Sequence, residues 1–274
     1  MTTLTQVAPR AVAEVMGGRD YLSYSAISTF QQCPLRFYFR YVLGLREQTI
    51  AASLLFGQGI HRAAQIHFEQ LLIGRSGPDL DALLDAFWSA WNGGSGAAIL
   101  FGRGEDVNSI GHLAERLLRT FRNSGFACPT GTILAVEEEL RGELIPGFPD
   151  LLARVDLVVE TNTELEVWDL KTSRTSWSAD RVTDSAGQLL LYSELARHLS
   201  DGKPLALRFA VLTKSKLPEM NVHDVSPDPH QVQRTKQIVE QVWRAIQAGN
   251  FYPNPSPVNC PGCPYREPCR DWAG

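Results

Sequence analysis

The sequence predicts an α/β protein: a mixed central sheet flanked by helices, with a helical N-terminal region and a proline-rich C-terminal tail. Three observations predict it. Apolar residues recur at helical spacing through most of the first half of the 274-residue chain, short β-like runs crowd together from about residue 132, and a helical stretch separates them from two further strands. Strands interrupted by a helix indicate a sheet with covered faces. The expected divisions are a helical region over 1–128, a core over 129–226, and a C-terminal helix with its tail over 227–274, all within one globular unit.

In chain order, Ser23 or Ser25 can cap a helix over "SAISTFQQC" that stops at Pro34, and "PLRFYFRYVLGL" carries a second, aromatic-rich helix to Gly44. "LLFGQGIHRAAQIHFEQLLIG" has a helical period, and further helical patterns run from about Leu80 to Trp91 and from about Val107 to Arg122. Between those two, "NGGSGAAILFGRGE" reads as a mobile loop. "TILAVEEEL", "LLARVDLVV" and "ELEVWDL" follow one another closely enough for an antiparallel meander. A helix over about Ser178 to Leu199, strands around "LALRFAVLT" and "EMNVHDV", and a helix over about Pro229 to Ala248 complete the pattern. Six prolines after Tyr252 preclude regular helix or central strand in the tail, so something else must order it.

A net charge of −4 gives no global sign of a polyanionic partner, but the charge is unevenly placed. Residues 131–170 hold ten acidic against two basic residues, and residues 171–216 hold eight basic against four acidic. An acidic cluster beside a basic one suits a cation site acting on a polyanion, although a solvated surface shows the same imbalance. The first twenty residues lack the apolar stretch of a signal peptide, and no apolar run is long enough to span a bilayer. The expectation is a soluble, cytoplasmic protein with no membrane partner, whose five cysteines stay out of disulfides.

The chemistry concentrates in "LLARVDLVVETNTELEVWDLKT". Its first strand puts Leu151, Ala153, Val155, Leu157 and Val159 on one apolar face and Arg154, Asp156 and Glu160 on the other. Asp156 and Asp169 share a face only if paired residue numbers in the hairpin sum to an odd value such as 325, which a four-residue loop from Thr161 to Glu164 provides. A three-residue loop would send the carboxylates to opposite faces. Asn162-Thr163 as a two-residue turn is disfavoured, because a β-branched Thr tolerates positive φ poorly. Lys171 shares the face of Asp169 in either case. Ionised groups at the end of a buried strand are costly without a partner. Two carboxylates and an amine on one face suit a hard divalent cation that activates water beside a phosphodiester.

Asp156, a hairpin, and then Asp169-Leu170-Lys171 resemble the PD-(D/E)XK nuclease superfamily in its RecB-like branch. Gly57-Gln58-Gly59-Ile60-His61 is similar to that branch's upstream Gly-x-x-x-His, and Gln188-Leu189-Leu190-Leu191-Tyr192 to its Gln-x-x-x-Tyr. Alone, a histidine or a Gln/Tyr pair four apart is commonplace; four elements in the family's order are not. The resemblance implies a restriction-endonuclease-like sheet and a Mg²⁺ or Mn²⁺ ion held by His61, Asp156, Asp169 and the backbone carbonyl of Leu170. It implies Lys171 as the catalytic lysine, with Gln188 and Tyr192 touching DNA near the scissile phosphate. A literal Pro149-Asp150 precedes Asp156, so Asp150 is a fallback ligand. Glu137 and Glu139 are candidate outer carboxylates.

Cys260, Cys263 and Cys269 form a Cys-x2-Cys-x5-Cys tail, one ligand short of a four-coordinate site, and Cys33 is the obvious fourth. This arrangement resembles the AddAB-type and CRISPR adaptation nucleases, which implies a 4Fe-4S cluster tying the two ends of the chain together. Four thiolates equally suit structural Zn²⁺ by their chemistry, and the family resemblance favours iron and sulfur. Cys128 reads as a small buried hydrophobe. Phe37, Tyr38, Phe39 and Tyr41 suit either a core or stacking on nucleic acid, with Arg36 and Arg40 either packing around the cluster or touching phosphate.

Three functional classes compete. The first is a metal-dependent DNA nuclease, an exonuclease or end-trimming enzyme of repair, recombination or CRISPR adaptation, acting on single strands or ends with a helicase or integrase partner. Basic surface around Arg174, Lys214 and Lys216 would track the strand. The second is a cluster-bearing subunit that holds DNA ends while its own cleavage is weak or dispensable. A redox protein using the cysteines is the third, and it gives no reason for the acidic face.

Overall fold

The computed structural model describes residues 16–93 and 96–273. Strand β1 (Tyr21–Ser23) runs straight into α1 (Tyr24–Gln32), where Ser23 Oγ accepts the free N–H of Ala26 at 3.3 Å and so caps the helix. The helix expected over 34–44 is instead α2 (Pro34–Phe37) followed by a wider π turn over Tyr38–Val42. The N–H of Leu43 reaches back five residues to the carbonyl of Tyr38, and that of Leu45 reaches Phe39, around Gly44 at φ +62°. Only a residue free to adopt a left-handed conformation lets the chain close that end.

The chain continues through β2 (Thr49–Ala51), α3 (Ala52–Leu72), α4 (Leu80–Asn92), β3 (Ala98–Leu100) and α5 (Val107–Arg122). The expected loop at 92–105 therefore contains a strand, β3, which pairs in parallel with β2 from Thr49↔Ala98 to Ala51↔Leu100. Gly94 and Ser95 of that loop lie outside the described residues, as do positions 1–15 of the stretch read for a signal peptide. Next come β4 (Thr132–Gly142), β5 (Asp150–Glu160) and β6 (Leu165–Ser173). The single helix expected from Ser178 to Leu199 is divided into α6 (Ala179–Ser185) and α7 (Gly187–Ala196), with a 3-10 turn at Arg197–Leu199. At the break, Ala186 N–H bonds to the carbonyl of Thr183, three residues back, and Gly187, a weak helix former, follows. Strands β7 (Leu205–Thr213) and β8 (Met220–Val225), then α8 (Pro229–Gln247), agree with the pattern. The proline tail is not free of helix: α9 (Arg266–Arg270) is a single turn carrying Cys269, whose N–H bonds Tyr265.

Two compact units result. One contains the described residues through Glu47, Arg141–Leu152 and Lys236 onward; the other contains Gln48–Leu140 and Ala153–Thr235. In the first unit, β1 pairs in parallel with the opening residues of β5, Tyr21↔Asp150 to Ser23↔Leu152. Leu35, Phe39 and Tyr265 form a small core beside Cys33, Cys263 and Cys269. Phe37, Phe39 and Tyr41 are buried here, so these aromatics belong to the core.

In the second unit, β4 pairs with β5, β5 runs antiparallel to β6, β6 parallel to β7, and β7 antiparallel to β8. The restriction-endonuclease-like expectation of a mixed sheet flanked by helices is the architecture found. One sheet face, through Leu157, Val159, Trp168, Leu170, Ala210 and Leu212, packs on apolar residues of α3, α4 and α5 in one large core. Residues from Leu189 to Leu191 of α7 are buried too, and this helix faces β6 and β7. Among the described residues no helix is long and apolar enough to cross a membrane.

Candidate active site

The β5–β6 hairpin has the register its loop length predicts. Leu157↔Trp168, Val158↔Val167, Val159↔Glu166 and Glu160↔Leu165 each sum to 325, and the connection is Thr161–Glu164. Thr161 Oγ1 accepts from the N–H groups of Thr163 and Glu164, which holds the four-residue turn closed. One step beyond Leu157↔Trp168, a side chain takes over from the backbone: Asp156 Oδ2 accepts the N–H of Leu170 at 2.6 Å. That bond satisfies a buried donor and fixes one carboxylate oxygen, leaving the other free to face the site.

The free oxygen meets a histidine. His61 Nδ1 lies 3.3 Å from Asp156 Oδ1 and 3.9 Å from Glu137 Oε1. One ligand atom from each of His61, Glu137 and Asp156 lies within 4.8 Å of the other two. Helix α3 delivers His61 by approaching α4 closely: a Cβ on Gly59 would sit 2.4 Å from the Phe87 ring. At Gly57 a Cβ would only touch Thr172 Oγ1 at 3.9 Å, so this glycine leaves the groove open rather than enabling a close approach. The groove is a cavity of about 610 Å³ whose lining includes Gln58, Arg62, Gln65 and Arg154 beside the acids, the histidine, Lys171, Gln188 and Tyr192.

Asp169 is almost wholly buried, and Lys171 Nζ lies 2.6 Å from its Oδ2 in a close ion pair. Lys171 Nζ donates to Gln188 Oε1 at 2.9 Å, and Gln188 Nε2 donates to the Tyr192 hydroxyl at 2.9 Å. The four-residue spacing on α7 aligns Gln188 and Tyr192 so that the pair buttresses the lysine.

Electrostatics follow from this crowding. Burial opposes a charge on His61, but Asp156, Glu137 and Asp169 outweigh it and push its pKa up to about 10. Burial also works against an ionised Asp156, yet His61, Lys171 and the Leu170 N–H hold its carboxyl below the usual range. Asp169 goes the other way: burial, opposed by Lys171 and reinforced by Asp156, pushes it up to about 6. Burial raises the Tyr192 phenol well above its ordinary value. An imidazole nitrogen and clustered carboxylate oxygens, held in place by secondary hydrogen bonds, fit a hard divalent cation.

Half of the ten acidic residues of 131–170 are committed to ion pairs elsewhere. Asp150, the fallback ligand, pairs with Arg141 at 2.9 Å, Glu160 with Lys203 at 2.9 Å, and Glu139 with Arg154 at 2.6 Å. Glu164, Glu166 and Asp224 surround the Arg208 guanidinium. Glu137, weighed from sequence only as an outer carboxylate, stands in the innermost cluster. No alternation signal marks it, because a left-handed step inside a strand breaks the period of two on which such a reading relies.

Four of the cysteines lie around one small core, and the fifth lies apart. Cys33, Cys263 and Cys269 pack on the same small core, and Cys33 and Cys260 Sγ accept the N–H groups of Asn254 at 3.5 Å and Ser256 at 3.3 Å. Burial and the neighbouring thiols of Cys33, Cys263 and Cys260 push the Cys269 thiol up. Thiols suit an inorganic centre by their chemistry, but among the described residues the group whose ligand atoms lie within 4.8 Å of one another is His61, Glu137 and Asp156, with no cysteine in it. Cys128 is exposed, not buried: the 3-10 turn at Gly125–Ala127 points Phe126 and Ala127 inward and leaves the next residue outside. Of the basic residues expected to track a strand, Lys214 rests its amine 4.5 Å above the Phe56 ring, and burial lowers its pKa.

Among solved structures, this chain is similar to a Eubacterium rectale protein described as a candidate exonuclease, at 16% identity and a TM-score of 0.57, covering 99% of this chain and 92% of that one. It also matches SSO0001 at 15% identity and a TM-score of 0.36, over 88% of this chain and 92% of that one. The first likeness supports the fold. Among curated proteins none matches. The family model that describes the PD-(D/E)XK nuclease superfamily matches residues 21–270, a span that holds both carboxylate strands, the histidine helix and the cysteine tail, and the chain belongs to that superfamily.

Proposed function

We propose that this protein is a divalent-metal-dependent DNA nuclease of the RecB-like branch, a cytoplasmic enzyme that trims single strands or ends. The observation that carries the proposal is Asp156, one of whose oxygens is fixed by Leu170 N–H while the other faces His61, with Asp169 and Lys171 on the next strand. His61, Asp156, Asp169 and the Leu170 carbonyl would hold Mg²⁺ or Mn²⁺. A cation there supplies positive charge to a phosphodiester and makes water more acidic.

The chain's own groups do the rest. Lys171, paired with Asp169 and oriented by Gln188, would present its amine to the scissile phosphate. Tyr192 stays neutral and holds Gln188 in place. Gln58, Arg62 and Gln65 along α3 supply polar contacts for the phosphodiester backbone without reading bases.

The second part of the proposal is a 4Fe-4S cluster on Cys33, Cys260, Cys263 and Cys269. The packing of Cys33, Cys263 and Cys269 around one small core and the backbone N–H groups on Cys33 and Cys260 support it, and such a group would supply a structural cross-link between residues far apart in sequence. By its motif set, the enzyme would serve repair, recombination or CRISPR adaptation beside a helicase or integrase.

A digestion panel tests the activity. Linear and circular single-stranded DNA, and the same pair as duplex, are incubated with Mn²⁺. Loss of the linear single strand with survival of the circle supports end-trimming; cutting of the circle makes the protein an endonuclease; no hydrolysis of any substrate ends the proposal.

A further inference from the structure

Glu137 lies in β4, yet its backbone has φ +52°, in the left-handed region that a glycine occupies without strain and a glutamate does not. Burial along β4 slips phase around it. Ile133 and Val136, of opposite parity, both pack on the main core, and Leu140 is buried further on, so the alternation breaks in the residues next to Glu137. The slip turns the Glu137 carboxylate inward, where only 16% of its side chain remains exposed, while Glu139 stays 51% exposed on Arg154.

The carboxylate arrives beside a histidine and an aspartate from two other elements. Glu137 Oε1 lies 3.9 Å from His61 Nδ1, and its Oε2 lies 3.9 Å from Arg154 Nε, neither close enough for a hydrogen bond. A largely covered carboxylate whose nearest partners both stop short of hydrogen-bond distance is costly unless something else completes its coordination. A divalent cation would do so, because the ligand atoms of His61, Glu137 and Asp156 already surround one point within 4.8 Å of each other.

We infer that Glu137 is itself a ligand of the divalent ion, a carboxylate additional to Asp156 and Asp169, and that the left-handed step in β4 exists to aim it. The inference rests on the nuclease reading of the site. It makes α3, β4 and β5 three separate suppliers of one centre. Asp169 then shares its charge between the ion and Lys171.

The test is Mn²⁺ titration of the full-length protein by calorimetry, alongside thermal unfolding without metal. Wild type, Glu137→Gln, Glu137→Gly, Glu139→Gln and Asp156→Asn are compared. Glu137→Gln is expected to raise the Mn²⁺ dissociation constant at least about tenfold, and Glu139→Gln to leave it unchanged. Glu137→Gly is expected to bind Mn²⁺ as weakly as Glu137→Gln while unfolding at a higher temperature than wild type in the absence of metal, since glycine relieves the left-handed step. Wild-type affinity in both Glu137 variants, with binding lost in Asp156→Asn, would overturn the inference and leave the nuclease reading standing. No Mn²⁺ binding by wild type would overturn both.

Discussion

Asp156 uses its two oxygens for different tasks: Oδ2 accepts the backbone N–H of Leu170 at 2.6 Å, and Oδ1 lies 3.3 Å from His61 Nδ1. A single side chain thus ends the β5–β6 ladder and begins the site. Asp156→Asn can keep the first contact through its amide oxygen while losing the charge. Without metal its unfolding temperature should fall below that of wild type, because the attraction to His61 goes with the charge, and the amount of Mn²⁺ bound should fall sharply in calorimetry.

The same relationship sets a pH dependence. In the metal-free protein His61 titrates near 10, above its unfolded value of about 6.5, so its stabilisation is complete below about pH 6.5 and is lost as pH rises towards 10. Asp169, raised to about 6, acts in the same sense at lower pH: its contribution is complete below about 4 and lost as pH rises through 6. Stability attributable to the two groups should therefore fall as pH rises. Mn²⁺ binding should run the opposite way, tightening by about tenfold per pH unit from pH 6 to 9, because a proton on His61 must leave before the nitrogen can ligate. Thermal unfolding and titration at several pH values check both slopes, with His61→Gln as the variant that flattens them.

Gln188 gives a separable prediction. It holds Lys171 Nζ at 2.9 Å and is held in turn by Tyr192. Gln188→Ala should lower kcat by roughly tenfold with Mn²⁺ affinity unchanged. Lys171→Met should lower kcat by about 10²-fold or more. Single-turnover cleavage beside metal titration distinguishes a positioning defect from a binding defect.

How far the sequence reveals the site can be judged residue by residue. The loop Thr161–Glu164 sets the hairpin register, because a four-residue connection gives pairs that sum to 325, one of the odd values that put Asp156 and Asp169 on one face. The phase slip at Glu137 was not legible, since β-strand patterns assume an unbroken alternation and the left-handed step violates it. Strands β2 and β3 were missed for another reason. Three residues each carry too little pattern to separate from loop, and their parallel pairing joins positions about fifty apart. The helix break at Ala186 and the exposure of Cys128 depend on tertiary packing that local spacing does not encode.

The two motif glycines near His61 should behave differently. Gly59→Ala puts a Cβ 2.4 Å from the Phe87 ring and should cost about 1–3 kcal/mol of stability by denaturant unfolding. Gly57→Ala meets only Thr172 Oγ1 at 3.9 Å and should leave stability nearly unchanged. If it lowers cleavage, the cause is a narrower groove, seen as a rise in KM.

The cysteine proposal predicts a coloured protein. Anaerobically purified wild type should contain about four irons per chain. Cys33→Ser or Cys260→Ser should lose iron and unfold at lower temperature. Zinc in place of iron, at one ion per chain, would reassign the centre while keeping its structural role.

The most direct test of the account is hydrolysis of end-labelled single-stranded DNA by wild type and Asp156→Asn, in parallel, with Mn²⁺ and with a chelator. The account predicts metal-dependent cleavage by wild type and a loss of at least ~100-fold in the variant. Equal cleavage by both proteins, or cleavage that survives the chelator, would contradict it.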